Sequence, residues 1–323
     1  MTAGLSREPN GISRTPMALA ARIKSRAAAF VAVYLLLWIA ATCYLAAKGA
    51  DWTLPGISLV IFGAALPLLG IALTRKAVPP PIPVTRPTLE LCALLVFLII
   101  YAVGFLGWGM SATRAALPAG REQELLVLVV KLLVHVAAPA LLLAALGARI
   151  APLFNAGFRA PGFWPPLLVL GAVILGLLCV ISPALSEIAA LHASAATLAW
   201  AAPATFLWLA IEAGLCEEFL FRAVLQTRLA AVLKTEAGAV VTGAVLFALA
   251  HVPGLYLRGH PGVDGYSSDP IQVIAFTIGV LSPVALLFGT LWARTRSLLL
   301  IVLLHAAVDV LPNMPEFFHT WVR

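Results

Sequence analysis

Residues 200–226, with the sequence WAAPATFLWLAIEAGLCEEFLFRAVLQ, form an apolar run long enough to cross a lipid bilayer as a helix. The run contains Cys216-Glu217-Glu218-Phe219-Leu220-Phe221-Arg222, which places two adjacent carboxylates and a guanidinium in a chain of which only 11% is charged. One charged side chain near the bilayer centre costs roughly 2.5–3.5 kcal/mol on insertion scales, so this cluster needs compensating contacts. The segment therefore predicts a membrane-embedded helix with a functional site inside it.

The rest of the chain has the composition of a polytopic membrane protein. Of its 323 residues, 62% are hydrophobic, and the mean hydropathy of +1.02 exceeds what a soluble domain of this length can bury. Windows of about 20 apolar residues predict nine spans, at 27–47, 54–74, 88–111, 125–147, 164–190, 200–226, 237–254, 271–293 and 297–312. Because two short segments can pair as a re-entrant element, we expect an all-α polytopic transmembrane helix bundle with eight or nine spanning helices.

The basic residues predict the orientation of these spans. With nine spans, fourteen basic residues fall on the side of the N-terminus: Arg7, Arg14, Arg22, Lys24, Arg26, Arg75, Lys76, Arg86, Arg149, Arg159, Arg228, Lys234, Arg294 and Arg296. Five fall on the opposite side: Lys48, Arg114, Arg121, Arg258 and Arg323. By the positive-inside rule we expect a cytoplasmic N-terminus. The net charge of +7 then reflects orientation in the lipid bilayer, and we expect no nucleic-acid partner.

Three regions follow from these patterns. Residues 1–26 form a basic cytoplasmic tail, and residues 27–87 form an N-terminal transmembrane helix pair with a Pro-rich linker at 78–83. Residues 88–323 form the helical core, with the chemically informative motifs within 200–312. The composition, rich in Ala, Leu, Arg and Pro, is typical of a bacterial protein, so we expect an integral protein of the bacterial inner (plasma) membrane.

Three predicted helices carry ionisable residues at helical spacing. Glu218 and Arg222 are four residues apart and share a helix face, whereas Glu217 is rotated by about 100° toward a neighbouring helix. Two further pairs with the same spacing lie on the next and the last of these helices: Phe247 with His251, and His305 with Asp309. Each pair alone is compatible with a purely structural contact. Together, at intramembrane depth, they predict a catalytic constellation.

The series Glu-Glu-x-x-x-Arg, Phe-x-x-x-His and His-x-x-x-Asp resembles the three-motif signature of the CAAX protease and bacteriocin-processing family of intramembrane endopeptidases. That family includes the C-a-a-X prenyl protein endopeptidases, and the resemblance covers about 200–312. It implies a catalytic carboxylate, a histidine that helps it to activate water, and a pair that stabilises the oxyanion. These are Glu217, His251, and His305 with Asp309; Glu218, Arg222 and Phe247 would support the site or bind substrate.

The residues themselves favour the same chemistry in part. Peptide hydrolysis needs a base for water and donors aimed at the developing oxyanion. Adjacent glutamates repel each other, so Glu217 or Glu218 can remain ionised while the other carries a proton. The prenyl-protein enzymes commonly have Asn where this chain has Asp309. Asp309 is therefore either protonated, or it accepts a hydrogen bond from His305 and fixes the tautomer of the ring.

Other functions and a metal stay open at this point. Glu217, His251, His305 and Asp309 are all zinc-compatible side chains, so zinc is possible, although no cofactor is favoured. The expected partner is a membrane-associated or lipidated peptide or protein substrate. The alternatives are a non-catalytic membrane scaffold or bacteriocin-immunity protein, and a proton-coupled transporter in which Lys131, with His135, serves as a relay. The side from which substrate enters is not predicted.

Overall fold

The computed structural model describes residues 16–322. The first fifteen residues of the predicted basic tail, with Arg7 and Arg14, lie outside the described residues. Within the described part the chain forms helices and no strand, and nine of the helices are long and apolar enough to cross a membrane. The predicted all-α polytopic bundle is therefore confirmed. The division of the chain at residues 26 and 87 stays a prediction.

The helices follow one another through short linkers. Their bounds are α1 Pro16–Ala47, α2 Thr53–Leu73, α3 Pro87–Ala115, α4 Arg121–Ala145, α5 Trp164–Ile181, α6 Ala184–Ala190, α7 Ala195–Leu233, α8 Glu236–Arg258, α9 Pro270–Thr295 and α10 Leu298–Trp321. All except α6 are candidate spans. A short 3-10 turn, Ala151–Phe154, lies in the linker between α4 and α5.

Prolines mark several of the differences between the predicted and the observed bounds. The segment predicted as one helix over 164–190 is interrupted, because the residue before Pro183 adopts an extended conformation. In contrast, α8 continues past Pro253, and α10 continues through two prolines to Trp321, beyond the end at residue 312 that was predicted for this span. Met314 and Phe318 in α10 are buried, and this packing favours the helix over its local breakers.

The N-terminal helix pair packs on the core. The hydroxyl groups of Tyr34 in α1 and Ser282 in α9 are 3.0 Å apart, and Trp38 Nε1 donates to the Gly279 carbonyl at 3.0 Å. Ser58 in α2 donates to the Val280 carbonyl at 2.7 Å. These three contacts all reach the same turns of α9. The pair is therefore joined to α9, which packs among the helices that carry the motifs.

The alternation of the spans gives the bundle two faces. The N-terminal face holds the start of α1 and the linkers 74–86, 146–163, 234–235 and 296–297. The C-terminal face holds the end of α10 and the linkers 48–52, 116–120, 182–194 and 259–269. Hydrogen bonds join parts of the same face, since Arg294 bonds to Thr74 on the first, and Arg121 bonds to Trp321 on the second.

One linker of the C-terminal face is anchored by a partly exposed carboxylate. Asp269 Oδ2 accepts a hydrogen bond from the Tyr44 hydroxyl at 2.7 Å and lies 3.2 Å from Lys48 Nζ. Its Oδ1 caps α9 by accepting from the Ile271 amide at 3.0 Å. The hydrogen bond from Tyr44 is the largest of the effects that lower the pKa of Asp269. This anchor fixes the end of the linker 259–269 above the bundle.

A buried ion pair lies toward the N-terminal face. Arg228 Nε of α7 donates to Glu90 Oε2 of α3 at 3.0 Å, and both side chains are fully buried. Glu90 Oε1 accepts two further hydrogen bonds, from Thr85 and from the Arg86 amide. Because the carboxylate is satisfied at both oxygens, this pair locks α3 against α7.

Candidate active site

Helix α7 places its two glutamates in different environments. Glu218 is fully buried, and its Oε1 accepts a hydrogen bond from Arg222 Nη1 at 3.0 Å. The Glu217 side chain is 18% exposed. The pair lies in an α-helical turn, Cys216–Glu218, between two wide π-helical segments, Ala210–Leu215 and Phe219–Gln226. Segments of this kind recur at functional sites. The spacing argument that put Glu218 with Arg222 and turned Glu217 away therefore matches the observed geometry.

Glu217 faces two histidines from two other helices. Its Oε1 lies 4.0 Å from His251 Nε2 of α8, and its Oε2 lies 3.8 Å from His305 Nε2 of α10. Both distances exceed a direct hydrogen bond, so Glu217 keeps its oxygens available for another partner. The three motifs thus converge on one carboxylate.

His305 is held by carboxylates at both ring nitrogens. Its Nδ1 lies 2.6 Å from Glu218 Oε1, and its Nε2 lies 3.2 Å from Asp309 Oδ2. A carboxylate oxygen is a hydrogen-bond acceptor, so Nδ1 is the donor in the bond with Glu218. Glu218 Oε1 is therefore shared by the Arg222 guanidinium and the His305 ring. Asp309 is placed to accept from His305.

The tautomer of His251 follows from its backbone contact. Its Nδ1 lies 2.8 Å from the carbonyl oxygen of Phe247, one helical turn earlier. A carbonyl oxygen can only accept, so Nδ1 carries the proton and, in the neutral ring, Nε2 is left with a lone pair. That lone pair faces Glu217. The ring of Phe247 packs against the imidazole, with the ring centroids 4.6 Å apart.

Two phenylalanines sandwich the buried guanidinium. Arg222 Cζ lies 4.5 Å from the ring centroid of Phe247 and 5.5 Å from that of Phe288 in α9. Phe288 also stacks on His305, with ring centroids 5.0 Å apart and planes 16° apart. Aromatic faces attract cations, so the two rings support the Arg222 guanidinium, and Phe288 also fixes the plane of His305. Phe288 lies outside the motifs and was not predicted.

A cavity of about 330 Å³ leads to Glu217. Its wall includes Lys131 and His135 of α4 and Tyr101 of α3. His135 Nδ1 donates to the Lys131 carbonyl at 2.9 Å, and its Nε2 accepts from the Tyr101 hydroxyl at 2.8 Å. These polar groups form a second wall of the site, opposite the three motif helices.

Lys131 is tied to the motif helix by an ion pair. Its Nζ donates to Glu212 Oε1 at 2.5 Å, and the two side chains are 12% and 19% exposed. The sequence predicts a possible transporter relay from the spacing of Lys131 and His135. Glu212 belongs to no motif and was not predicted. The sequence does contain an indication of this ion pair. Lys131 and Glu212 are charged residues in separate apolar segments, and each needs a partner at membrane depth.

The carboxylates and imidazoles do not fit a zinc ion as they are placed. Bonds of 2.0–2.1 Å to a tetrahedral zinc leave its ligands about 3.4 Å apart, whereas Glu217 lies 3.8 and 4.0 Å from the two histidines. Within residues 16–322, no group of three or more His, Cys, Asp or Glu side chains is arranged to hold a metal.

The fold and the site define a polytopic integral membrane protein with a buried Glu, His and Arg cluster shared by three helices. Residues 198–311 match the family model of the type II CAAX prenyl endopeptidases, Rce1-like. The resemblance predicted from the three motifs is therefore confirmed over about a third of the chain. Comparisons with curated proteins and with solved structures gave no match. Helices α1 to α6 lie outside the matched region.

Proposed function

We propose that the protein is an intramembrane endopeptidase that hydrolyses a peptide bond of a membrane-associated or lipidated substrate. The matched family supports a peptidase of the CAAX type. The observation that carries the proposal is the contrast between the two adjacent glutamates. Glu218 is fully buried and paired, whereas Glu217 is partly exposed at the end of a cavity and faces two imidazoles. A carboxylate in that position is available as a base.

The attacking group is a water held between Glu217 and His251. One hydrogen of this water donates to Glu217 Oε1, and the other donates to the lone pair of His251 Nε2, which are 4.0 Å apart. This leaves an oxygen lone pair directed into the cavity. Glu217 takes the proton as the oxygen attacks the peptide carbonyl, and later gives it to the leaving amine. General base catalysis of this kind contributes typically 10²–10⁴-fold.

The oxyanion is assigned to His305. With both ring nitrogens protonated, the donor is the Nε2–H group, whose nitrogen lies 3.8 Å from Glu217 Oε2 and 3.2 Å from Asp309 Oδ2. A cationic donor in a low-dielectric site stabilises developing negative charge strongly. Glu218 and Asp309 are positioning residues, because they hold the ring in its charged form and fix its orientation.

The proposal is tested by comparing peptides from cells that carry the wild-type protein or Glu217→Gln. Membrane and secreted peptides are quantified by mass spectrometry, with Glu122→Gln as the matched control because Glu122 is exposed on α4. We expect one or more cleavage products that depend on Glu217 and persist in the control. The contrary result is that all three strains give the same peptides and that Glu217→Gln retains the biological effect of the protein. The protein would then act as a membrane scaffold or immunity protein and not as a peptidase.

A further inference from the structure

The lining of the cavity at Glu217 extends toward the C-terminal face of the bundle. Beyond Glu217 and the polar wall, its lining residues belong to the ends of α3 and α8 and to the following linker 259–269, all on the C-terminal face. These are Leu106, Met110, Gly254, Leu255, Arg258, Gly259, His260 and Val263. His251 is seven residues from the end of α8, so the site lies about 10 Å below that end at 1.5 Å per residue.

The opposite direction is closed by packed side chains. Every residue of α7 from 218 to 229 is buried, which accounts for more than three helical turns beyond Glu217. On α10 the residues before His305 are also largely buried, with Leu300, Ile301 and Leu304 fully so. The ion pair of Glu90 with Arg228 lies in the same layer. A peptide cannot reach the site from the N-terminal face without unfolding this core.

Charge assigns the two faces to the two sides of the membrane. The N-terminal face carries the linkers with Arg75, Lys76 and Lys234, whereas the C-terminal face has few basic residues. Cytoplasmic loops carry an excess of Lys and Arg. We propose that the substrate reaches Glu217 from the non-cytoplasmic side of the membrane, through the cavity between α3, α4 and α8.

This inference rests on the proposed function and defines the substrate class more narrowly. The cleaved segment belongs to a membrane-associated peptide that is exposed outside the cytoplasm, such as the outer end of a membrane-anchored chain. Cytoplasmic tails of membrane proteins are excluded as substrates, because the packed half of the bundle separates them from Glu217.

The path is tested by cysteine labelling with membrane-impermeant thiol reagents on intact and permeabilised cells. The parent chain is the blank, since its own four cysteines lie within the spans. Val263→Cys probes the mouth, and Glu217→Cys probes the end of the cavity. Two exposed positions away from this cavity are controls, Ala119→Cys on the C-terminal face and Ala160→Cys on the N-terminal face.

We expect Val263→Cys, Ala119→Cys and, with a small charged reagent, Glu217→Cys to react in intact cells, and Ala160→Cys to react only after permeabilisation. A bulky adduct on Val263→Cys should lower cleavage at least tenfold, whereas the same adduct on Ala119→Cys should change it less than twofold. The inference is overturned if Glu217→Cys reacts only after permeabilisation, or if the adduct at Val263 leaves cleavage unchanged. Labelling of Glu217→Cys decides the path even where no peptide depends on Glu217, so failure of the proposed function is a separate result.

Discussion

Replacing Glu218 by glutamine is expected to destabilise the fold as well as to impair the site. Glu218 Oε1 accepts hydrogen bonds from Arg222 at 3.0 Å and from His305 at 2.6 Å, and the Arg222 side chain is only 3% exposed. Removing one partner of a buried ion pair leaves a buried charge uncompensated and costs about 3–5 kcal/mol. We expect Glu218→Gln to lose about this much of the free energy of unfolding.

Replacing the neighbouring Glu217 by glutamine is the matched comparison for stability and cleavage. Glu217 is 18% exposed, and its histidine contacts are 3.8 and 4.0 Å long, beyond hydrogen-bond distance. A partly exposed ion pair contributes about 0–1 kcal/mol, so Glu217→Gln should change the free energy of unfolding by no more than that. Its cleavage rate should fall by about 10²–10⁴-fold, because the base is lost. Two isosteric changes at adjacent residues thereby separate stability from catalysis.

The assay is denaturant unfolding of the purified variants in detergent micelles, combined with the cleavage rate per folded molecule. Unchanged stability of Glu218→Gln would show that Arg222 is not held by this carboxylate. Equal loss of cleavage in both variants, with equal stability, would refute the separate roles of the two glutamates.

Asp309→Asn retains an acceptor for His305, so we expect its cleavage rate within about tenfold of the wild-type rate. Asp309→Leu has no acceptor there and should lose cleavage. Steady-state kinetics on both variants checks this. Phe288→Leu should destabilise the protein by about 0.5–2 kcal/mol through the lost cation–π contact, as measured by thermal unfolding. Glu90→Gln should cost about 3–5 kcal/mol because Arg228 stays buried, while the rate per folded molecule is unchanged. A strong zinc chelator should leave the cleavage rate within twofold, and elemental analysis should find well under one zinc per chain; a rate abolished by chelation and restored by zinc would contradict the geometry of Glu217 and its histidines.

The spans were predictable because membrane insertion imposes a length and a composition on each of them. Windows of about 20 apolar residues located the nine candidate spans among the described residues. A single chain segment of that composition is stable in lipid only as a helix. The effect of Pro183, Pro253 and Pro312 on the continuity of their helices was not predictable in the same way. A proline breaks one helix and is tolerated in another according to tertiary packing, which local sequence does not encode.

The convergence of the motif residues was predicted from the free-energy cost of charged groups in a membrane. The individual contacts between these residues were not predicted. Charged groups at membrane depth need partners, which pointed from Glu217 to His251 and His305. The sequence placed Glu217, His251 and His305 on three separate helices, and only the packing of α7, α8 and α10 shows that they meet. Phe288 and Glu212 had no pattern of their own, because each acts through a neighbour on another helix.

The central claim is that Glu217 activates the water that cleaves a membrane-associated peptide. The most direct measurement is the single-turnover cleavage rate of an identified substrate by wild-type protein and by Glu217→Gln, reconstituted in liposomes at matched thermal stability. We predict a loss of at least 100-fold in Glu217→Gln, with little change in Glu122→Gln. A rate for Glu217→Gln within about threefold of wild type would contradict the assignment of the base.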